Sequence, residues 1–224
     1  MNGPRLGAEA IGTFMLVFIG AGAVTVDAWN PGSVGPVGIA LSFGFAILAG
    51  VYALGHVSGA HFNPAVTVGL WLSHSFPGRA VLPYVLAQLV GAVSAALVLR
   101  SILGGVVRSM ATVPHIGALA ALSVETILTF FLVLVVAAVA TDGRVAGSVA
   151  GLAVGLTIAF DALMGGPLTG ASMNPARSFG PALVSGTWTE HWVYWVGPLA
   201  GSVMAAKAYL YLRKGKAHES PARS

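Results

Sequence analysis

The sequence predicts an all-α membrane protein: a bundle of six transmembrane helices plus two half-helices, arranged as an inverted repeat within a single domain, residues 1–224. Three observations predict it. Of the 224 residues, 56 % are hydrophobic and 8 % are Asp, Glu, Lys or Arg, whereas a water-soluble domain carries about 25 % charge. Six apolar stretches are long enough to cross a hydrocarbon core of roughly 30 Å. One short stretch occurs twice, 111 positions apart, as Gly59-Ala60-His61-Phe62-Asn63-Pro64-Ala65-Val66 and Gly170-Ala171-Ser172-Met173-Asn174-Pro175-Ala176-Arg177.

The first spanning stretch, about Leu6 to Val26, follows Met1–Arg5 without a small-residue cleavage site, so it reads as a retained helix rather than a signal peptide. Asn30-Pro31-Gly32 marks a turn, and the second stretch runs from about Val34 to Leu54. The first Asn-Pro copy comes next. Asn is among the best N-cap residues, and Pro at the first helical position needs no amide partner, so a helix is expected from Pro64 to about Leu72. At 1.5 Å per residue it is roughly 13 Å long, too short to span alone. Pro77-Gly78 and Gly104-Gly105 bound the third span, about Ala80 to Leu103.

The fourth span is about Gly117 to Ala140, and Asp142-Gly143 separates it from the fifth, about Val145 to Leu163. After Gly165-Gly166-Pro167 the second Asn-Pro copy starts a half-helix from Pro175 to about Val184. The sixth span is about His191 to Leu212, and the basic tail 213–224, with Lys-Gly-Lys and Ser-Pro, reads as disordered. Two half-helices entering from opposite sides would together cover the hydrocarbon thickness, with Asn63 and Asn174 meeting near the middle.

The halves, about 5–103 and 117–212, are related in detail. Glu9-x-Ile11-x-Thr13-Phe14-x-Leu16-Val17 matches Glu125-x-Ile127-x-Thr129-Phe130-x-Leu132-Val133, and Gln88-x-x-Gly91-Ala92 resembles Pro198-x-x-Gly201-Ser202. Three spans separate corresponding points, so the second half lies upside down relative to the first. That is a transport architecture. Gly151-x-x-x-Gly155 and Gly197-x-x-x-Gly201 read as close helix packing.

An even number of spans puts Arg5, Arg79, Arg144, Arg213, Lys214, Lys216 and Arg223 on one side and Arg100 and Arg108 on the other, which places both termini in the cytoplasm. The net charge of +4 sits in chain ends and loops and does not point to nucleic acid. The absence of Cys removes disulfide, iron–sulfur and thiol chemistry. No His, Asp and Glu cluster has metal-ligand spacing, and no cofactor is implied. A Ser58 nucleophile served by His56 or His61 finds no supporting acid or strained nucleophile turn.

The Asn63-Pro64-Ala65 and Asn174-Pro175-Ala176 pair, the block Gly55 to Thr67, the block Ser172 to Ala182 and the repeated Glu make this chain similar to the aquaporins, the major intrinsic protein family, from Glu9 to about Leu212. The resemblance implies a passive channel for water in a homotetramer in the lipid bilayer of the cell membrane, excluding protons and ions. It implies that Glu9 and Glu125, which at mid-span each cost roughly 3 kcal/mol unless partnered, hold the reentrant loops as scaffold. It places Arg177 in a narrow filter and, by spacing from the Asn residues, adds Phe43, Ala162 and Ala171. His61 and Asp161 are further candidate pore-lining residues, and Asp161 has three open readings: a pair with a loop donor, a pair with Arg177, or a place in the outer vestibule. Water-selective relatives typically carry His at the Ala162 position, so the pore is expected to be wider and less polar, with ammonia, hydrogen peroxide, urea and glycerol as additional small neutral permeants. The glycerol-channel pattern departs too: Ser178 stands where Asp usually follows the Arg, and Tyr194-Trp195 resembles the water-channel class. The alternatives are a glycerol-type facilitator and a proton-coupled transporter that titrates Glu9 and Glu125.

Overall fold

Each apolar run of spanning length is a helix in the computed structural model, which describes residues 3–141 and 149–214. The order is α1 (Gly3–Trp29), α2 (Gly35–Ser58), α3 (Pro64–Leu72), α4 (Val81–Leu103), α5 (Ala118–Thr141), α6 (Ala150–Thr169), α7 (Pro175–Ser185) and α8 (Val193–Lys214), with 3-10 turns at Gly78–Ala80 and Gly104–Met110. No strand occurs among the described residues. α1, α2, α4, α5 and α6 are long and apolar enough to cross a membrane. α8, 22 residues long, takes the sixth place because it lies along α5 as α4 lies along α1.

α2 and α6 run furthest past their expected ends, and for one reason. α2 continues beyond Leu54 to Ser58 and α6 continues through Gly165-Gly166-Pro167 to Thr169. The stops are Gly59 (φ +90°) and Gly170 (φ +81°), whose amides donate to Gly55 O and Gly166 O at 2.9 Å. Only glycine enters that left-handed conformation without cost, so the helix ends there and not at the earlier turn-forming residues. The expected Asp142-Gly143 turn, Arg144, residues 145–148 of the expected fifth span and the tail residues 215–224 lie outside the described residues, while Arg213 and Lys214 form the last turn of α8.

α2 packs on α6 across the halves, α3 packs on α8, α4 and α5, and α7 packs chiefly on α4. Small residues set these distances. A Cβ on Gly44 would lie 2.7 Å from Gly155 O, and one on Gly155 would lie 2.7 Å from Gly44 O, so α2 and α6 touch backbone to backbone at reciprocal points. Gly91 against Ala10 O and Gly201 against Thr126 O repeat the same contact within each half. The polarity of the molecule is the reverse of a water-soluble one: Glu9, Gln88, Glu125 and Arg177 are buried, while Ile11, Leu86, Leu119 and Ile127 are exposed.

Candidate functional site

Between each glycine stop and its Asn the chain alternates in and out of the left-handed region: Ala60 (φ 51°) and Phe62 (φ 50°) in the first loop, Ala171 (φ 41°) and Met173 (φ 52°) in the second. None of these is glycine, so the conformations persist only because something holds them. The holders are the two mid-span carboxylates. Glu9 Oε1 accepts from Ser58 Oγ at 2.7 Å and His61 N at 3.0 Å, and Oε2 from Phe62 N at 2.8 Å and Gln88 Nε2 at 2.7 Å. Glu125 Oε1 accepts from Thr169 Oγ1 at 2.7 Å and Ser172 N at 2.9 Å, and Oε2 from Met173 N at 2.7 Å.

The same hydroxyls turn back to the loop: Ser58 Oγ accepts from Ala60 N at 3.0 Å and Thr169 Oγ1 from Ala171 N at 3.1 Å. Tyr84 donates to Ser58 O at 2.8 Å and Tyr194 to Thr169 O at 2.6 Å. Ser58, Thr169 and the two tyrosines were not singled out as loop supports in the sequence. Extending the 111-residue repeat five positions before each Asn would have paired Ser58 with Thr169.

At the half-helix starts, Asn63 Oδ1 accepts from Ala65 N at 2.8 Å, and Asn174 Oδ1 accepts from Ala176 N at 3.0 Å and Arg177 N at 3.2 Å, with Pro64 and Pro175 at the first helical positions. Each amide nitrogen reaches across to the other half: Asn63 Nδ2 donates to Met173 O at 2.8 Å, and Asn174 Nδ2 to Phe62 O at 2.9 Å. One N–H of each Asn is therefore committed to the protein and one remains for the lumen. Ala65 and Ala176 are buried, and Ala65 O accepts from Ser202 Oγ at 2.7 Å, which ties α3 to α8.

Both Asn residues line a cavity of about 420 Å³ whose wall extends from Tyr52 and His56 to Phe43 and Arg177. Most of the wall is apolar, including Leu16, Ile47, Leu132 and Ile158. Phe43, Ala162, Ala171 and Arg177, separate in sequence, all reach this one cavity. The Arg177 guanidinium carbon stands 4.9 Å from the Phe43 ring centroid. The N-termini of α3 and α7, each equivalent to roughly half a positive charge, meet at the Asn pair in the same space. His61 also lines the cavity, its Nδ1 3.1 Å from Thr67 Oγ1 and its ring packed on Phe76 and Tyr84.

Asp161 does not line it. The carboxyl is 1 % exposed, and neither oxygen has a hydrogen-bond partner among the described residues, so none of its three expected placements holds. Val154, Ile158 and Ala162 of the same helix reach the cavity, while Asp161 is shut away from water within the packing around α6. Among the described residues no group of three or more His, Asp or Glu side chains is placed to hold a metal ion. His115, beyond Thr112, is exposed and its amide donates to Leu168 O at 2.9 Å.

A family model described as Major intrinsic protein matches residues 4–209. The chain is 50 % identical over 207 residues to "Aquaporin NIP1-1" of Zea mays, covering 92 % of this chain and 73 % of that protein. It is 43 % identical to "Aquaporin AqpM" of Methanothermobacter thermautotrophicus, covering 92 % of this chain and 95 % of that one. Among solved structures, the aquaglyceroporin from Plasmodium falciparum superposes with a TM-score of 0.82 at 27 % identity, over 94 % of this chain and 96 % of that one.

Proposed function

The chain belongs to the major intrinsic protein family, the aquaporins, an integral membrane channel family with multiple helical spans, and from that premise we propose that it is a passive channel whose primary permeant is water and which also passes small neutral solutes. The observation that carries this reading is the convergence of Phe43, Ala162, Ala171 and Arg177 with both motif asparagines on one largely apolar cavity. Selectivity in such a pore comes from its width, the hydrogen-bonding groups on its wall and its electrostatic barriers. Phe43 supplies bulk, Arg177 a fixed cation and donor, and Ala162 and Ala171 leave room that a larger side chain would fill. Asn63 and Asn174 each keep one N–H for a passing water oxygen. A water held by both has no lone pair left for its neighbours in the file, which breaks the wire that a proton needs. The two helix N-termini add repulsion for any cation.

Glu9 and Glu125 belong to the scaffold in this reading. Their oxygens already accept four and three hydrogen bonds from the loops and their supports, which leaves a proton-coupled cycle little to work with. Pro64, Ala65, Pro175 and Ala176 fix the half-helix starts, and His61 adds a polar edge to the wall. The termini face the cytoplasm, with Arg5, Arg79 and Arg213 on that side, the membrane is the cell membrane, and the assembly is a homotetramer.

A glycerol-type facilitator is the second reading, favoured by the fold likeness to an aquaglyceroporin and by the small residues at 162 and 171. Stopped-flow light scattering of proteoliposomes under gradients of an impermeant osmolyte, urea and glycerol separates the two. Fast water flux with slower urea and glycerol flux is expected. Glycerol flux that outpaces water flux supports the facilitator, and water flux equal to bare liposomes overturns the channel proposal.

A further inference from the structure

The repeat is broken at one point, and what fills the gap is not part of either half. In the first loop, Thr67 Oγ1 meets the His61 ring at 3.1 Å and accepts from Gln88 Nε2 at 3.0 Å, so α4 braces the start of α3 from behind. The corresponding residues of the second loop, 111 positions on, are Ser172 and Ser178, and their hydroxyls are hydrogen bonded to each other. Pro198 stands at the position of Gln88 and cannot donate. The vacant third place is taken by Thr112, whose Oγ1 donates to Ser178 Oγ at 2.7 Å.

Thr112 belongs to the segment that joins the two halves, after the 3-10 turn Gly104–Met110 and before α5. It is 3 % exposed, lies outside the cavity wall, and its side chain packs where a Cβ on Gly170 would meet Thr112 Cγ2 at 3.2 Å. From Thr112 a run of hydroxyls leads inward: Ser178 next to Arg177, then Ser172, which lines the cavity and donates to Asn174 O at 2.9 Å. The second loop carries Ala171 and Arg177, whereas the first carries no residue of the proposed constriction. The brace on the second loop therefore bears on selectivity, and the brace on the first bears on folding.

We propose that Thr112 is a positioning residue for the filter: its hydroxyl, through Ser178, fixes the placement of Ala171 and Arg177, so that the connecting segment sets solute selectivity without touching the permeant. This rests on the channel reading above. The test compares wild type, Thr112→Val, Thr112→Ser, Ser178→Ala and the Thr112→Val/Ser178→Ala double variant in proteoliposomes, reading the ratio of urea to water permeability. Thr112→Val keeps the volume and removes the donor, and the loss of one buried hydrogen bond predicts a ratio raised about fivefold. Thr112→Ser restores the wild-type ratio. Ser178→Ala removes the same bond from its other end together with the contact to Ser172 and gives at least as large a rise, and the double variant rises by less than the two single effects combined because they share one interaction. Should Thr112→Val not assemble, the Ser178→Ala and Thr112→Ser results decide alone. A ratio unchanged by Ser178→Ala, a Thr112→Ser variant that fails to match wild type, or fully additive effects overturn the proposal. A wild-type protein that passes neither water nor urea overturns the channel reading, and this inference with it.

Discussion

Arg177 stands over Phe43, guanidinium carbon 4.9 Å from ring centroid, so the one Arg or Lys among the described residues of the cavity wall is packed over an aromatic ring of the same wall. At a few Å, in surroundings of effective dielectric 20, a full charge repels a passing cation by about 4 kcal/mol, and each half-helix N-terminus contributes about half that. Arg177→Val is expected to raise cation permeability by about three orders of magnitude. Two-electrode voltage clamp of expressing oocytes reads it directly, and a conductance equal to wild type removes Arg177 from the pore.

Ala162 is a small residue on a wall that Ile158 and Val154 continue one and two turns below. Ala162→His places an imidazole in that space. Urea and glycerol permeability should fall at least about tenfold while water permeability falls far less, since a pocket discriminates by such factors when bulk is added. Equal loss of water and solute would show plugging rather than selection, and no loss at all would put the constriction elsewhere.

Glu9 accepts four hydrogen bonds and Glu125 three, all on carboxylate oxygens. An amide in either place turns a donor toward other donors. Glu9→Gln should lower stability in detergent by more than about 3 kcal/mol with an unchanged urea-to-water ratio in whatever protein survives, and Glu125→Gln should lower it by somewhat less but raise the ratio, because its loop carries Ala171 and Arg177. Flux should not respond to an imposed proton gradient. A gradient-driven, uphill flux abolished by Glu9→Gln would restore the proton-coupled reading.

Asp161 offers the opposite case, a buried carboxyl with no hydrogen-bond partner among the described residues. Asp161→Leu replaces the unpartnered polar group by an apolar side chain of similar size, so thermal stability in detergent should rise, by about 1 kcal/mol or more, with water flux unchanged. A clear loss of stability would mean that the carboxyl has a partner in the assembled protein.

The spans, the half-helices and the gathering of Phe43, Ala162, Ala171 and Arg177 on one cavity could be anticipated because each leaves a one-dimensional trace: apolar length, the Asn-Pro signal and, through the family resemblance, spacing from Asn63 and Asn174. What could not be read is two kinds of information. Ala60, Phe62, Ala171 and Met173 adopt left-handed backbone against their own preference, and only the carboxylates of distant helices make that conformation tenable. The Asn63 to Met173 and Thr112 to Ser178 bonds join positions 110 and 66 residues apart with no pattern to announce them. The three readings left open for Asp161 could not be narrowed from the sequence, because its burial without a partner is set by the packing around α6.

The exchange between the two loops has the form of an isologous interface: Asn63 gives to the stretch before Asn174, Asn174 gives to the stretch before Asn63, and Gly44 and Gly155 press on one another's carbonyls. Nothing in those contacts requires a covalent link between the halves. A gene encoding a single half, inserted in the membrane in both orientations, could close the same set of bonds as an antiparallel homodimer. Fusion fixes the pairing at one to one and frees the copies to diverge. Divergence has then gone where symmetry no longer constrained it: Arg177 stands on one side of the midplane only, with Val66 at the corresponding place on the other.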